Sequence, residues 1–421
     1  MQKLTRLALL PAILATSAAA LHAQKRPELA PSPPMGWNSW NWFGKAAIDE
    51  PTVREVIDAM VSTGLRDAGY KYIVIDGGWR DTKLAPNGEL RADPDKFPDG
   101  IKALADYAHS KGLKFGLHTV PGRFDCGGDP VGGFGNEKTQ LAQFVAWGLD
   151  FIKLDRCKLS ADKKGDATGE QWTEASTEET YRNWSALLRD CGRDITYSIS
   201  AYQFRPWNPE VCNMSRTTTD IRSHFNSGGA EFEKGENKNK KGQKFLSIMD
   251  AAEINNRAAT SAGNGYWNDA EMLVTGDPAL TREEQQAHFA LWCIMSSPLM
   301  LGNDPRHLTD QERAIILNPR AIAVDQDPTE QGRRVWQDKT AGTEIWMKHL
   351  ANGRHALLLL NRNKSKPATI TADFAKLGLP AELYVHDIYT AQDKGQVKTS
   401  YTADFLARGC AFLLAAPEPV K

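Results

Sequence analysis

Residues 52–79 read TVREVIDAMVSTGLRDAGYKYIVIDGGW, and this stretch decides the fold. Apolar residues recur at helical spacing after Thr52, and the spacing to Glu55 predicts a capping box at the start of that helix. Gly69 marks the end of the helical part. The apolar run YKYIVI then predicts a buried strand that ends at Asp76.

The same order of helix, glycine and strand returns three more times along the chain. Gly112, Gly148 and Gly192 precede the apolar strands LKFGLH, LDFIKL and DITYSIS, and a second capping box is predicted from Ser176 to Glu179. Repeated units of this kind indicate parallel strands covered by helices. The strands NMSRTTTD, GYWNDAEML and SPLMLGND bring the series toward eight, and no glycine-rich phosphate loop follows a strand. We therefore predict an α/β fold, a (β/α)8 TIM barrel rather than an open doubly wound sheet.

The pattern changes after about Asp325, where helical spacing gives way to short strands without intervening helices. TEIWMKHL and RHALLLLNR flank the turn Asn352-Gly353 and predict a hairpin, and ATITADF, ELYVHDIYT and CAFLLAA add strands. We predict that the barrel covers residues 24–325 and that an antiparallel β sandwich covers residues 326–421. A structural role is expected for the sandwich, and carbohydrate binding is the alternative.

The amino-terminal segment has the pattern of a secretory signal peptide. Lys3 and Arg6 precede an apolar run that ends in Ala-Leu-His-Ala, which predicts cleavage after Ala23. The run is short for a bilayer span and contains Pro11, so a membrane anchor is the weaker interpretation. We expect residues 1–23 to be removed and the mature protein to be secreted or periplasmic.

The composition favours a small ligand. The chain of 421 residues has a formal net charge of −1, with 41% hydrophobic and 24% charged residues. A globular protein of this kind has no field that attracts nucleic acid or an anionic membrane, so neither is expected as a partner. Residues 231–244, EFEKGENKNKKGQK, are polar and predict a mobile surface loop, with a basic binding patch as the alternative.

The cysteines and histidines argue against a metal centre. Six cysteines in an exported chain predict one or two local disulfides. The sequence contains no CxxC pair and no cluster of histidine and cysteine, so a structural zinc site is not expected. A metal-dependent barrel hydrolase would need several histidines at strand ends, and His118 is the one candidate.

The predicted strand ends carry many polar residues, and in a (β/α)8 barrel the carboxyl ends of the strands form the active site. These residues are Asp76, His118, Lys153, Asp155, Ser200, Arg216, Asp220, Asp269 and Glu271. Any single acid here could instead cap the following helix. Lys153, however, lies two positions before Asp155, so both side chains face the barrel mouth and the lysine keeps the acid ionised.

Paired acids and tryptophans point to glycoside hydrolysis. An ionised carboxylate beside a lysine suits a nucleophile, and a second acid with less cationic support suits a proton donor. Three tryptophans lie in MGWNSWNW, where they could be ordinary core, and Trp79 lies just beyond Asp76. We interpret Trp79 as part of the pocket rim, where its ring could stack on a sugar.

Eight stretches together resemble glycoside hydrolase family 27, the family of α-galactosidases (melibiases) and α-N-acetylgalactosaminidases. They are PPMGWNSW, YIVIDGGW, HSKGLKFGLH, WGLDFIKLDRC, SRTTTDI, GYWNDAEMLVTG, EEQQAHFALWCIMSSPLMLGND and AIAVDQDPTEQG. These long motifs occur in the family's order and cover essentially everything after the signal. The resemblance implies a retaining hydrolase that releases terminal α-galactosyl residues from oligosaccharides or glycoconjugates by double displacement, without a cofactor.

The resemblance also implies roles for individual residues. Asp155 matches the family's nucleophile, and Asp220 matches its acid/base. The residues expected to bind the sugar are Trp40, Asp76, Lys153, Ser200, Arg216 and Glu271.

The resemblance also allows the cysteines of this chain to be compared with two disulfide bonds of the family. Cys126 and Cys157 match one of them, which ties the loop after KFGLH to the nucleophile strand. Cys212 matches half of another, but Ile199 occupies the partner position. Either Cys191 pairs with Cys212, or Cys212 is a buried thiol.

The chain departs from the family pattern around the sugar. Gly77 stands where the family has a second acid, and His118 stands where it commonly has a tyrosine. The stretch SISAY, residues 198–202, has small residues like those of the N-acetylgalactosaminidase branch, and Glu271 replaces an aspartate. A lost hydroxyl partner weighs heavily in specificity. α-Galactosidase therefore has three alternatives, α-N-acetylgalactosaminidase, β-L-arabinopyranosidase and another α-pyranosidase, and the alternative from a different class is a secreted, inactive sugar-binding protein.

Overall fold

The computed structural model describes residues 26–159, 171–226 and 245–420. The predicted signal, residues 1–23, and the polar segment 231–244 lie outside the described residues. Among the helices of these three ranges, none has the length and apolar character needed to cross a bilayer.

The first sheet consists of eight parallel strands. They are β1 Met35–Asn38, β2 Tyr72–Ile75, β3 Lys114–Thr119, β4 Phe151–Asp155, β5 Thr196–Ser200, β6 Met214–Arg216, β7 Trp267–Asp269 and β8 Leu299–Leu301. Strands β1 to β7 pair in chain order, and β1 also pairs with β8. Beyond β7, the Leu273 N–H donates to the Met300 carbonyl at 2.8 Å and the Gly302 N–H donates to the Leu273 carbonyl at 2.8 Å, so the sheet closes on itself. The predicted TIM barrel is confirmed, and β1 is a strand that the sequence analysis did not assign.

Helices surround the barrel. They are α1 Trp40–Ala47, α2 Glu50–Ser62, α3 Leu65–Ala68, α4 Gly100–Ser110, α5 Glu137–Trp147, α6 Glu174–Arg189, α7 Asn208–Val211, α8 Ile248–Asn256, α9 Arg282–Ile294, α10 Asp310–Ile316 and α11 Pro319–Gln326. Gly69, Gly112, Gly148 and Gly192 follow helices and have positive φ, as predicted. The helix predicted from Thr52 to Gly69 is, however, divided at Gly64 into α2 and α3. Glycine adopts this left-handed backbone without the clash that a Cβ would introduce.

Both predicted capping boxes are wrong by about one helical turn. The N-cap of α2 is Asp49, whose carboxylate accepts from the Thr52 N–H at 2.9 Å. The N-cap of α6 is Thr173, whose hydroxyl accepts from the Ser176 N–H at 3.0 Å. Thr52 and Ser176 therefore lie in the first turn. A small polar residue fits both the cap and the third helical position, so the local pattern alone does not separate the two.

Eight antiparallel strands form the carboxyl-terminal part of the chain. They are β9 Arg333–Asp338, β10 Thr343–His349, β11 His355–Asn361, β12 Ala368–Asp373, β13 Glu382–Asp387, β14 Gln392–Lys398, β15 Ser400–Phe405 and β16 Cys410–Ala416. Six of them form one sheet in the order β14-β13-β16-β11-β10-β9, and β12 pairs with β15 in a second sheet. The predicted hairpin and sandwich are confirmed, whereas β9, β14 and β15 were not predicted.

The six-stranded sheet is buried on both faces. On β10, Trp346 packs in the same core as the barrel and its helices, whereas Ile345 and Met347 pack against the two-stranded sheet. Successive side chains of a strand point to opposite faces, which explains this division. The sheet therefore shares one core with the barrel and has a second core of its own, and the boundary predicted at residue 325 stays a prediction.

Candidate active site

The barrel strands place charged side chains at one end of the barrel interior. Tyr72, Phe151 and Met214 belong to the apolar cluster inside the barrel. Two or four positions further along the same strands are Asp76, Lys153, Asp155 and Arg216. Because residues two apart share a face of a strand, these four also face inward, at the carboxyl ends where barrel active sites form.

Asp155 lies beside two nitrogen bases. Its carboxylate is 3.2 Å from His118 Nε2 and 3.6 Å from Lys153 Nζ. Burial by itself would raise the pKa of Asp155, but the positive charges of Lys153 and His118 outweigh burial and hold that pKa well below its usual range. Asp155 is therefore an ionised carboxylate at the mouth of the barrel.

Asp76 shares the same lysine. Lys153 Nζ donates to Asp76 Oδ2 at 2.7 Å, and Asn38 Nδ2 donates to the same oxygen at 3.1 Å. The Asp76 N–H donates to Ser39 Oγ at 2.9 Å, which fixes the backbone. Burial would raise the pKa of Asp76, but Lys153 and His118 together outweigh burial and lower that pKa, so Lys153 helps to keep both carboxylates ionised.

Arg216 joins two further acids. Its Nη2 is 3.2 Å from Asp220 Oδ1, and its Nη1 is 2.9 Å from Glu271 Oε1. The Asp220 side chain is 43% exposed, whereas that of Asp155 is 13% exposed. Asp220 is therefore the more solvent-exposed of the two acids.

Glu271 has an unusual backbone and an unusual environment. Its φ is 97°, a left-handed value that is rare for a residue with a side chain, and its carbonyl accepts from Trp292 Nε1 at 2.8 Å. Burial raises the pKa of Glu271 to about 7, although Arg216 acts in the opposite direction. A strained, buried acid beside Arg216 is a feature of functional sites.

The Trp40 ring forms one wall of the pocket and lies over Gly77. A Cβ added at Gly77 would be 3.2 Å from Trp40 Cζ3. The Gly77 N–H donates to the Asp76 carboxylate at 2.8 Å. A side chain at position 77 would push on the indole ring, so the positions of Trp40 and Gly77 are coupled.

The interpretation of Trp79 as part of the pocket rim is wrong. Trp79 is fully buried, and its Nε1 donates to the His118 carbonyl at 3.0 Å. Its ring packs edge-on against Trp147 with 5.9 Å between the centroids. Gly78 turns the chain with φ 105°, and the ring that follows lies in the core rather than at the mouth.

Several pocket residues were not assigned to the site from the sequence. His118, Arg80 and Tyr202 line the pocket together with both acids of the proposed catalytic pair. His118 was recognised as a strand-end residue, and that position was the available signal. Arg80 and Tyr202 lie in loops, where no periodicity reports the direction of a side chain. Ser200, by contrast, was predicted, and it pairs with Asp155 in the register of β4 and β5.

The disulfide expected between Cys126 and Cys157 is confirmed. It joins the loop after β3 to the residue two positions beyond Asp155. Cys157 also lies in a group with His118 and Asp155 that could hold a metal ion, but its bond to Cys126 removes the sulfur as a ligand. Of the alternatives for Cys212, the structure has the buried thiol.

Comparison with known proteins gives a consistent result along the chain. The family model described as "Alpha galactosidase A" matches residues 32–327, and the one described as "Alpha galactosidase C-terminal beta sandwich domain" matches residues 340–415. The chain is 34% identical over 413 residues to "Alpha-galactosidase" of Cyamopsis tetragonoloba, covering 96% of this chain and 92% of the relative. It is 33% identical over 393 residues to "Alpha-N-acetylgalactosaminidase" of Gallus gallus, covering 88% and 89%.

The solved structures show the same architecture. The crystal structure of α-galactosidase I from Mortierella vinacea superimposes with a TM-score of 0.83 at 29% identity, over 94% of this chain and 100% of that one. Both family models match in order, and identity above 30% extends over most of the chain. The chain is therefore a glycosidase that belongs to the α-galactosidase (melibiase) family, glycoside hydrolase family 27.

Proposed function

We propose that this protein releases terminal α-galactosyl residues from oligosaccharides or glycoconjugates with retention of configuration, with Asp155 as nucleophile and Asp220 as acid/base. The observation that carries the proposal is the contrast between these acids. Asp155 is buried and kept ionised beside Lys153, whereas Asp220 is more exposed and bound on one side by Arg216. A double displacement needs one carboxylate that attacks and another that exchanges a proton.

The reaction then has two steps. Asp155 attacks the anomeric carbon and forms a glycosyl ester, while the bond to the leaving oxygen breaks and Asp220 gives that oxygen its proton. In the second step Asp220 takes a proton from water, and the water oxygen replaces Asp155 at the anomeric carbon. Each step inverts the anomeric centre, so the configuration is retained overall.

The remaining site residues would bind and orient the sugar. Charged groups that already pair with each other offer donors and acceptors to sugar hydroxyls, and an indole face can cover a ring of CH groups. Arg216 also positions Asp220, since its guanidinium bridges Asp220 and Glu271. The proposed sugar ligands are Trp40, Asp76, Lys153, Ser200, Arg216 and Glu271.

A second candidate activity is α-N-acetylgalactosaminidase. Ser200 is a small, fully buried residue next to Asp155 in the sheet, which would leave room for a substituent at the second carbon of the sugar. The relative from Gallus gallus carries that activity in its name. Because Gly77 replaces an acid, one expected hydrogen-bond partner of the outer sugar hydroxyls is missing. A β-L-arabinopyranoside is therefore included in the same test.

We test the activity with nitrophenyl derivatives of α-galactose, α-N-acetylgalactosamine, β-L-arabinopyranose and α-glucose. The α-galactoside is expected to give the highest kcat/KM. Asp155→Ala should lower kcat by about 10³-fold or more, because the nucleophile is lost. Asp106→Ala, which removes an exposed acid of α4, is the control and should leave kcat unchanged. Sugar binding without turnover of any derivative would favour the inactive sugar-binding alternative.

The role of Asp220 has its own test. Nitrophenolate can leave without being protonated, whereas a sugar leaving group needs a proton on its oxygen. Asp220→Ala should therefore lower the first step for raffinose far more than for the nitrophenyl α-galactoside. A loss of equal size on both substrates would contradict the assignment of Asp220 as acid/base.

We also propose that the protein is exported and that the barrel, residues 24–325, carries the activity. The charged start, apolar run and small-residue end of residues 1–23 support export. Mass spectrometry of protein recovered from the medium or periplasm should find a chain that starts at Gln24. Recovery of the intact chain inside the cell would contradict this proposal.

A further inference from the structure

A second pocket opens at the same end of the barrel as the active site. Its walls come from the segments that follow β1, β6, β7 and β8, and they include Asn41, Trp42, Arg222, Asp277 and Asn303. All these segments leave the carboxyl ends of their strands, which is the face where barrel enzymes bind substrates.

Some residues that line this second pocket are close in sequence to residues that line the active-site pocket. Asn41 and Trp42 directly follow Trp40, which lines the active-site pocket. Arg222 lies two residues beyond Asp220, and it lines the second pocket while Asp220 lines the first. The segments after β1 and β6 therefore contribute to both pockets, which open at the same end of the barrel. Asp220 is proposed to protonate the leaving oxygen, so the leaving group departs on the side of Asp220.

Two amides that line this pocket have buried atoms without a hydrogen-bond partner among the described residues. Asn303 is 4% exposed, and neither its Nδ2 nor its Oδ1 has a hydrogen-bond partner among the described residues. The Nδ2 of Asn41 is also buried and has no partner in the described parts of the chain. Buried polar atoms are almost always satisfied, so atoms like these indicate a missing ligand or water. An amide offers both a donor and an acceptor, which suits the hydroxyls of a neutral sugar.

The backbone of Asn303 is held in place by a hydrogen bond from the barrel core. The Asn303 carbonyl accepts from Trp37 Nε1 at 2.8 Å, and Trp37 is fully buried. Among the other lining residues, the Arg222 guanidinium carbon lies 3.8 Å from the centroid of the Phe245 ring, and Ser223 donates to Asp277. The polar walls are thus fixed by contacts of their own and need no ligand to form.

The rim of the pocket carries an exposed aromatic ring. Trp42 is 46% exposed, although tryptophan is among the side chains that gain most from burial. A half-exposed indole beside polar groups can bind a ligand that has one apolar face and a polar edge. A pyranose ring has this character.

We propose that this pocket is a subsite for the sugar on the leaving-group side, a neutral pyranose that stacks on Trp42 and bonds to the amides of Asn41 and Asn303. The inference rests on the proposed function and extends it, since it predicts that oligosaccharides are better substrates than galactosides with a small leaving group. Raffinose would place its sucrose part there, whereas the fluoride of α-galactosyl fluoride cannot reach the pocket.

The test compares kcat/KM for raffinose with kcat/KM for α-galactosyl fluoride. In Trp42→Ala, the ratio of the two values should fall about tenfold, the equivalent of about 1.4 kcal/mol of lost binding. Trp336→Ala is the matched control, because Trp336 is 42% exposed on β9 in the sandwich, and its ratio should stay that of the parent. An unchanged ratio in Trp42→Ala would overturn the subsite.

A second variant separates binding from folding. Asn303→Leu replaces the amide by an apolar group of similar size. If Asn303 only filled space, neither the Tm nor the substrate ratio would change. The subsite predicts an unchanged or higher Tm together with a lower ratio. If the parent hydrolysed neither substrate, the proposed function would fail, and the subsite would be judged by calorimetric binding of sucrose. Equal sucrose affinities of the parent and Trp42→Ala would then overturn it.

Discussion

At the residue scale, two cations divide four acids into two groups. The acids at the mouth of the barrel are Asp76, Asp155, Asp220 and Glu271. Lys153 lies against the first two, and Arg216 lies against the last two. The division has a chemical consequence, because the pKa values of Asp76 and Asp155 are lowered while that of Glu271 is raised. The pocket therefore holds two carboxylates that Lys153 helps to keep ionised and, beside Arg216, a carboxyl whose burial favours its protonated form.

The activity is expected to depend on the ionisation of Glu271 near neutral pH. Burial raises the pKa of Glu271 to about 7, so its carboxyl loses a proton as the pH rises through 7 and adds a negative charge beside Arg216 and Asp220. The pH profile of kcat/KM should show an apparent pKa near this value. Glu271→Gln keeps an oxygen for Arg216 but cannot ionise, so the inflection should disappear in this variant.

The raised pKa of Glu271 also predicts how the stability of the protein changes with pH. The folded pKa of Glu271 lies above the ordinary value of 4.5, so the folded state binds more protons than the unfolded chain between these values. The contribution of Glu271 to stability is therefore present at low pH and lost as the pH rises through 7. Relative to the parent, Glu271→Gln should gain Tm between pH 5 and pH 8. A Tm difference that does not change with pH would contradict this assignment.

Gly77 is expected to set the choice of sugar. Gly77→Asp restores an acid beside Asp76 and should raise the kcat/KM ratio of α-galactoside to β-L-arabinopyranoside. Gly77→Ala is the matched control, since it adds the Cβ contact with Trp40 without the charge. An unchanged preference in Gly77→Asp, or the same change in both variants, would show that the acid at this position does not determine specificity.

At the scale of elements, the type and order of segments follow from the sequence, but their exact starts do not. Helical spacing from Val53 and the strand from Tyr72 are local patterns, and both elements are present. Helix α2 begins one turn before its apolar pattern, because Asp49 caps it and Pro51 suits the first turn. The first barrel strand, Met35–Asn38, was missed because its residues MGWN include glycine and asparagine, which are poor strand formers, and show no apolar run.

Removing the true cap of α2 should lower stability, whereas removing the residue first predicted to be the cap should not. Asp49→Ala is expected to lower the free energy of unfolding by about 1 kcal/mol, because the Thr52 N–H loses its acceptor. Thr52→Ala keeps that N–H and should change the free energy by less than about 0.5 kcal/mol. Urea unfolding of both variants measures the difference, and equal losses would contradict the assignment of Asp49 as the cap.

At the scale of the whole molecule, one lysine fastens the sandwich to the barrel. Lys348 of β10 is fully buried, and its Nζ donates to Ser296 Oγ at 2.6 Å and to the carbonyls of Val324 at 2.6 Å and Asp327 at 2.8 Å. Val324 lies in the last turn of α11, Asp327 directly follows that helix, and Ser296 follows α9. Together with the shared apolar core around Trp346, they make the two parts one packing unit.

Lys348→Met is expected to lower the free energy of unfolding by about 3 kcal/mol, because three buried acceptors lose their donor while the apolar volume is kept. Lys394→Met on the exposed strand β14 is the matched control and should change it by less than about 0.5 kcal/mol. The parent should unfold in one transition under urea. A separate transition for the sandwich in the parent, or equal losses in both variants, would contradict the role of Lys348 in joining the two parts.

The sequence by itself determined the fold class, the family and the strand end on which Asp155 lies, whereas β6 ends at Arg216 and Asp220 lies in the loop that follows. Periodicity and the alternation of side chains along a strand are local properties, so they can be recognised without coordinates. Only the tertiary structure placed His118 against Asp155, joined Arg216 to both Asp220 and Glu271, and buried Trp79 in the core. These contacts join segments that are distant in the chain or depend on the path of a loop. Their geometry is set by packing and ring closure of the barrel, which no local pattern contains.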